Sequence, residues 1–152
     1  MEEIIQHYAG FWRRFAAYMI DQALIAWALN EFWGSFFNFA RASFAEQRDF
    51  DIYRYWETIA TVCMWALTIP LVTMYHAGME SSPLQATVGK FAVGIYVTDL
   101  QGQRISFKKA AGRIFGKFIS GAILGIGYLM AGFTEKKQAL HDSMSGCLVM
   151  RR

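Results

Sequence analysis

Two long apolar stretches decide what this chain can become. Between residues 15 and 39 the only charges are Asp21 and Glu31, and between residues 58 and 75 there are none. Each stretch approaches the roughly 20 residues that carry a helix across a bilayer. Of the 152 residues, 55% are hydrophobic and 18% charged, against about a quarter charged in an ordinary soluble domain. That richness in apolar side chains excludes a disordered segment. The length suits one domain and is too short for two.

The first stretch competes with a secretory signal, because Arg13 and Arg14 precede it. Asp21 interrupts the apolar core such a signal requires, the run is long for a signal, and no small-x-small cleavage site follows. It is therefore expected to be retained as a first membrane helix over residues 12–38. At 1.5 Å of rise per residue, a span starting near Phe15 exits about 20 residues later. Glu31 then lies near the far headgroups, and Phe32, Trp33, Phe36, Phe37 and Phe39 form an aromatic belt at the interface. The mixed charges and aromatics of residues 41–57 read as a short interface-hugging loop. A second membrane helix is expected over residues 56–76, kinked at Pro70.

The region after it is basic: Lys90, Arg104, Lys108, Lys109, Arg113 and Lys117 stand against Glu80 and Asp99. Basic loops stay in the cytoplasm, so this excess, with Arg13 and Arg14, predicts a cytoplasmic N-terminus and a large cytoplasmic connection over residues 77–118. Within it Val93, Ile95 and Val97 alternate with Gly94, Tyr96 and Thr98. A turn-rich Asp99-Leu100-Gln101-Gly102-Gln103 follows, then Arg104-Ile105-Ser106-Phe107, which together predict a β-hairpin. Ser106 can cap a following helix with Phe107, Ile114, Phe115 and Phe118 on one face. Lys108, Lys109, Arg113 and Lys117 crowd its other sides, as in an amphipathic helix lying on anionic lipid.

Residues 119–133 are apolar and rich in glycine but short for a full span. A complete crossing would put Lys136, Lys137, Arg151 and Arg152 outside, against the charge rule. A re-entrant or strongly tilted segment breaking near Gly125-Ile126-Gly127 is expected, returning residues 134–152 to the cytoplasm. Gly121 and Gly125 also form a small-xxx-small pair suited to close helix packing. The fold class expected is thus an all-α integral membrane protein: two full transmembrane helices, a short glycine-rich third segment, a cytoplasmic β-hairpin and an interfacial amphipathic helix.

Charges inside a span mark function. Seven residues separate Arg14 from Asp21, almost two helical turns. Both therefore project from one face, Asp21 roughly 10 Å deeper than Arg14. A carboxylate at that depth needs a partner, a proton or water. Other chemistries find little support. Gly89-Lys90 lacks the upstream glycine and the downstream hydroxyl of a phosphate loop. His141-Asp142 has only His7 and His76 to complete a metal centre. No Gly-x-Ser-x-Gly is present, and Cys63 and Cys147 make neither a disulfide framework nor a metal knuckle. No enzyme activity, cofactor, metal or nucleic-acid partner is expected.

Three patterns occur in order: Arg14-Phe15-Ala16-Ala17-Tyr18-Met19-Ile20-Asp21; Thr87-Val88-Gly89-Lys90 before Gly94-Ile95-Tyr96-Val97; and Gln138-Ala139-Leu140-His141-Asp142 before Gly146-Cys147-Leu148-Val149. Together they resemble the RDD family of bacterial membrane proteins, named for one arginine and two aspartates. The resemblance covers the chain from about Tyr8 to Met150. It implies Arg14, Asp21 and Asp142 as the signature residues, Arg14 rather than Arg13 because Arg14, Ala17, Ile20 and Asp21 keep the family's spacing. Thr87, Gly89, Lys90, Arg113, Gln138 and His141 are the supporting positions. Cys147 stands where many members have threonine, so a hydroxyl is missing there.

The resemblance further implies a multi-pass protein of the bacterial inner membrane. A role in transport is implied, with monovalent cation/proton exchange suggested for some members. Physically, Arg14 can pair with Asp142 and leave Asp21 as a protonatable group deeper in the bundle. The alternative is a non-catalytic assembly factor or accessory subunit in which the three charges are a structural staple. Two or three thin helices do not readily enclose a pathway, so transport would call for a homo-oligomer or a membrane partner.

Overall fold

The computed structural model describes residues 8–44, 50–122 and 126–152. Helix α1 runs over Phe11–Phe44 and α2 over Phe50–Ser81. A one-turn helix α3, Val88–Ala92, leads into strand β1, Ile95–Asp99. Helices α4, Phe107–Ala122, α5, Ile126–Phe133, and α6, Leu140–Ser145, follow, and strand β2, Cys147–Arg151, ends the chain. The expected break at Gly125 and its pairing with Gly121, and part of the expected loop over residues 41–57, lie outside the described residues.

Among the described residues one helix, Tyr55–Ser81, is both long and apolar enough to cross a bilayer, and almost none of its apolar window is buried within the protein. A bare apolar surface of that extent needs lipid in place of water. The pair α4 and α5 meets the same criterion when taken together, bent by 103° between its halves. Helix α1 has the length, but its polar residues keep it below that criterion, so the expected pair of full spans reduces here to one clear apolar span. The second helix also outlasts its expected end at residue 76: α2 continues through Pro70 to Ser81, which carries Glu80 inside a helix rather than on a loop.

The described residues divide into two units. In the first, Gln22–Val72, α1 and α2 meet through Trp33 Nε1 donating to Thr68 Oγ1 at 3.1 Å and Phe36 stacking on Trp56 with centroids 6.2 Å apart. Arg41 and Glu57 pair at 3.3 Å on the surface.

The second unit comprises Met1–Asp21 and Thr73–Arg152. Its core gathers Ala9, Ala17, Ala77, Ile95, Val97, Ile105, Ala110, Ile114, Cys147 and Val149. The sheet corrects the expected hairpin. Residues 99–103 do turn, with Asp99 N donating to Gln103 O at 2.9 Å. Yet β1 pairs antiparallel with β2, Val97 opposite Val149 and Asp99 opposite Cys147. Alternation fixes which face of a strand is buried and not which strand it pairs with. Of residues 104–107 only Ile105 is buried, and Phe107 already begins α4, whereas Cys147-Leu148-Val149 supplies three buried side chains. Beyond β2, Ala9 N donates to Val149 O at 2.8 Å, so the approach to α1 is tied to the sheet.

Helix α4 departs from the expected amphipathic arrangement at Arg113 and Ile114, which turn into the protein. Its packed face carries Ala110, Arg113, Ile114, Gly116 and Ser120, while Phe107, Phe115 and Phe118 are exposed. In a membrane protein the solvent is itself apolar, so phenylalanine faces outward and the charged arginine turns in.

Candidate functional site

Two polar clusters lie side by side in the second unit, joined by α3. The first surrounds Asp21, which is only 2% exposed. Oδ2 accepts from Thr87 Oγ1 at 2.6 Å, and Oδ1 accepts from Gly89 N at 2.7 Å and Tyr75 Oη at 3.1 Å. Tyr75 Oη also accepts from Val88 N at 3.1 Å. Thr87 caps α3, accepting from Lys90 N at 3.4 Å. All three donors to Asp21 are neutral, and among the described residues no ion pair includes it. Gly89 is dictated by closeness: a Cβ there would stand 2.1 Å from Ala17 O and 2.9 Å from Asp21 Cγ, so only hydrogen fits.

The second cluster is a chain of ions. Arg14 pairs with Asp142 Oδ2, and its other nitrogens donate to Ala9 O at 2.9 Å and Lys137 O at 2.6 Å. Arg113 reaches Asp142 Oδ1 with Nε at 2.7 Å and Nη2 at 2.6 Å, while Nη1 donates to Glu80 Oε2 at 2.7 Å. Glu80 Oε1 pairs with Lys90 Nζ, and Lys117 Nζ stands 3.6 Å from it. Glu80, Arg113 and Asp142 are buried, so their charges are tolerable only because each is paired and hydrogen-bonded.

Asp142 also accepts from Ala139 N at 3.2 Å, closing the first turn of α6. Burial would push its carboxyl up, but the guanidiniums of Arg113 and Arg14 outweigh that and hold it well below the usual carboxylate range. His141 packs against Gly116, where a Cβ would lie 2.9 Å from His141 Cβ. Burial lowers its imidazole to about 3 despite the attraction of Asp142, with Arg113, Lys117 and Arg14 pushing the same way. Burial likewise lowers the Lys90 ammonium to about 7, against Glu80 and with Arg113 and Lys117. Cys147 is a buried thiol pushed up by burial.

The expected Arg14–Asp142 pair is therefore present, and Asp21 stands apart from it among neutral donors. Thr87, Gly89 and Lys90 belong to the site directly, and Arg113 is its central bridge. Gln138 acts at a distance, its Nε2 donating to Cys147 O at 2.9 Å where β2 begins. Tyr75 and Glu80 were not expected. The available signal was that no proline stands between Tyr75 and Ser81, so the apolar helix had no strong reason to stop before Glu80.

Residues from all three sequence patterns meet at these clusters, and residues 8–146 match the RDD family. The chain belongs to the RDD family. Among curated proteins, this RDD chain is 32% identical over 141 residues to the uncharacterized protein YxaI of Bacillus subtilis (strain 168), covering 88% of this chain and 91% of that one. It is 26% identical over 157 residues to the uncharacterized membrane protein YteJ of the same organism, covering 97% of this chain and 84% of YteJ. No solved structure matches. Family membership, a membrane-protein relative and the bare apolar helix together make this RDD protein a membrane protein.

Proposed function

We propose that this RDD protein moves an ion or small solute across the bacterial inner membrane, with a proton carried on Asp21 as the coupling ion. One observation carries the reading: a buried carboxylate on α1 meets three donors and none of them is charged. An ionised carboxylate without a counter-charge is costly in a low-dielectric site, and a proton cancels that cost. The surrounding hydroxyls suit both states. Tyr75 and Thr87 donate to a carboxylate, and either hydroxyl can rotate to accept from a carboxylic acid.

In this reading α1 is the first of several spans, the N-terminus is cytoplasmic, and copies of the chain or a membrane partner enclose the pathway. The protein is a carrier and performs no covalent chemistry. The ionic chain from Arg14 to Lys90 is the rigid frame against which Asp21 works.

A second reading has its own support. Every nitrogen of the Arg14 guanidinium is bonded, to Ala9, Asp142 and Lys137, as expected of a staple in an assembly factor or accessory subunit. Flux in proteoliposomes separates the two. The transport reading expects proton movement driven by a monovalent cation gradient in the wild type, and its loss in Asp21→Asn protein with an unchanged size-exclusion profile. Wild-type vesicles without flux under any such gradient, or an Asp21→Asn protein whose assembly fails first, favour the staple.

A further inference from the structure

Where α1 begins, the loop between α5 and α6 lies across it. Lys137 in that loop covers Gly10, its Cδ and Nζ 3.8 and 3.9 Å from where a Cβ on the glycine would stand. The Lys137 carbonyl accepts from Arg14 at 2.6 Å, and its N–H donates to Thr134 O at 2.9 Å. Lys137 makes these bonds at φ 48°, a left-handed conformation that glycine adopts freely and a lysine only at some cost. Thr134 Oγ1 pins the loop further, donating to Gln138 O at 3.1 Å and accepting from Gln138 N at 2.8 Å. The Lys137 ammonium therefore projects from a fixed turn. Arg13 stands three residues beyond Gly10, a neighbour on the helix surface, and it is exposed, as is Lys136. Among the described residues no ion pair includes Arg13, Lys136 or Lys137, nor Glu135, the acid of the same loop.

Aromatic rings flank these cations. Phe11, Trp12 and Phe15 pack ring against ring with centroids 5.3–6.2 Å apart. Phe11 Cβ is 4.0 Å from a Cβ built on Gly132, which brings the end of α5 and its Phe133 alongside. Phe133 is 89% exposed and Trp12 77%, the two most exposed large apolar side chains among the described residues. Bare rings beside unpaired cations are costly in water alone and well placed at a bilayer boundary, where rings sit at headgroup level and cations sit among phosphates.

We propose that this surface binds an anionic phospholipid, with Arg13, Lys136 and Lys137 around the headgroup phosphate and Trp12 and Phe133 against the glycerol backbone and upper acyl chains. A soluble anion satisfies the cations and leaves the rings bare. A zwitterionic phospholipid covers the rings but brings a cation of its own. A lipid of net negative charge uses both halves of the surface. Its headgroup also bears on the turn whose Lys137 carbonyl holds Arg14, the arginine paired with Asp142, so bound lipid stabilises that turn in place. The inference rests on residence in a membrane and not on transport.

The test is native mass spectrometry of the whole delipidated protein in detergent, titrated separately with phosphatidylglycerol, phosphatidylcholine and inorganic phosphate. The wild type is expected to bind phosphatidylglycerol at least about tenfold more tightly than phosphatidylcholine, each cation near the headgroup contributing about fivefold. A variant carrying Arg13→Gln, Lys136→Gln and Lys137→Gln should lose the preference. Lys136→Gln alone, at an exposed side chain, should lower it about fivefold and serves if the triple variant does not fold. Removing two exposed cations elsewhere, Arg104→Gln with Lys108→Gln, should leave it unchanged. Trp12→Ala with Phe133→Ala should weaken phosphatidylglycerol. Equal binding of the two lipids by the wild type, a preference that survives the triple variant, the same loss from the Arg104 and Lys108 changes, or inorganic phosphate bound as tightly as the lipid overturns the proposal. Flux plays no part in this binding, so the transport reading and this one stand or fall separately.

Discussion

Gly89 lies so close to the first helix that a Cβ on it would stand 2.1 Å from the carbonyl oxygen of Ala17. That approach delivers the Gly89 N–H to Asp21 at 2.7 Å and sets where α3 begins. Gly89→Ala must push α3 away and lose the hydrogen bond. The expected cost is about 2 kcal/mol or more, from overpacking against backbone together with an unmade buried bond. Thermal unfolding in detergent checks it, and Gly112→Ala, where a Cβ would meet nothing within 4 Å, is the matched control.

Arg113 joins the two buried carboxylates, Asp142 and Glu80. Removing its side chain takes one buried partner from each, leaving Asp142 to Arg14 and Glu80 to Lys90 and Lys117, so Arg113→Met should destabilise by about 3 kcal/mol. Arg113→Lys should rescue little, because one ammonium cannot reproduce a fork that reaches two acceptors. Chemical denaturation of the three proteins measures the difference.

The pH dependence of stability follows from two lowered groups on α6. For His141, about 3 in the folded protein against 6.5 unfolded, the unfolded chain binds more protons between those values. Stability therefore falls as pH drops through that window. Asp142 acts later: its folded value lies below its unfolded one, so the stability it contributes is full above about pH 4 and is lost below. His141→Gln should flatten the upper part of the acid limb and leave the lower part, as measured by thermal unfolding across pH.

How much of this site was legible in sequence depends on what each residue needed to reveal itself. Arg14 and Asp21 stand out because charge inside an apolar stretch is rare, and Asp142 through the family pattern alone. Thr87 and Gly89 stand out through their pattern. Tyr75 and Glu80 did not, since a tyrosine in an aromatic-rich span and a glutamate beside a basic region look ordinary until α2 is seen to continue to Ser81. The strand β1 was visible in its alternation, but its partner β2 lies about fifty residues on, a separation that local pattern does not encode. On helix α4 the phenylalanine face is legible, since Phe107, Phe115 and Phe118 are exposed as expected; the inward turn of Arg113 is not, because its partners Glu80 and Asp142 lie far along the chain.

Cys147 begins β2 with its side chain fully buried, and burial pushes its thiol up. Thiolate is the reactive form. A water-soluble maleimide should therefore leave Cys147 unmodified in the native protein and label it only on unfolding, read by intact mass.

The account turns on Asp21 being neutralised by a proton and by no neighbouring cation. Infrared difference spectroscopy of the lipid-reconstituted protein across a pH jump reports this directly. The account predicts a protonated carboxyl C=O band that appears on acidification and is missing in Asp21→Asn. An identical band in the variant, or none in the wild type, contradicts it.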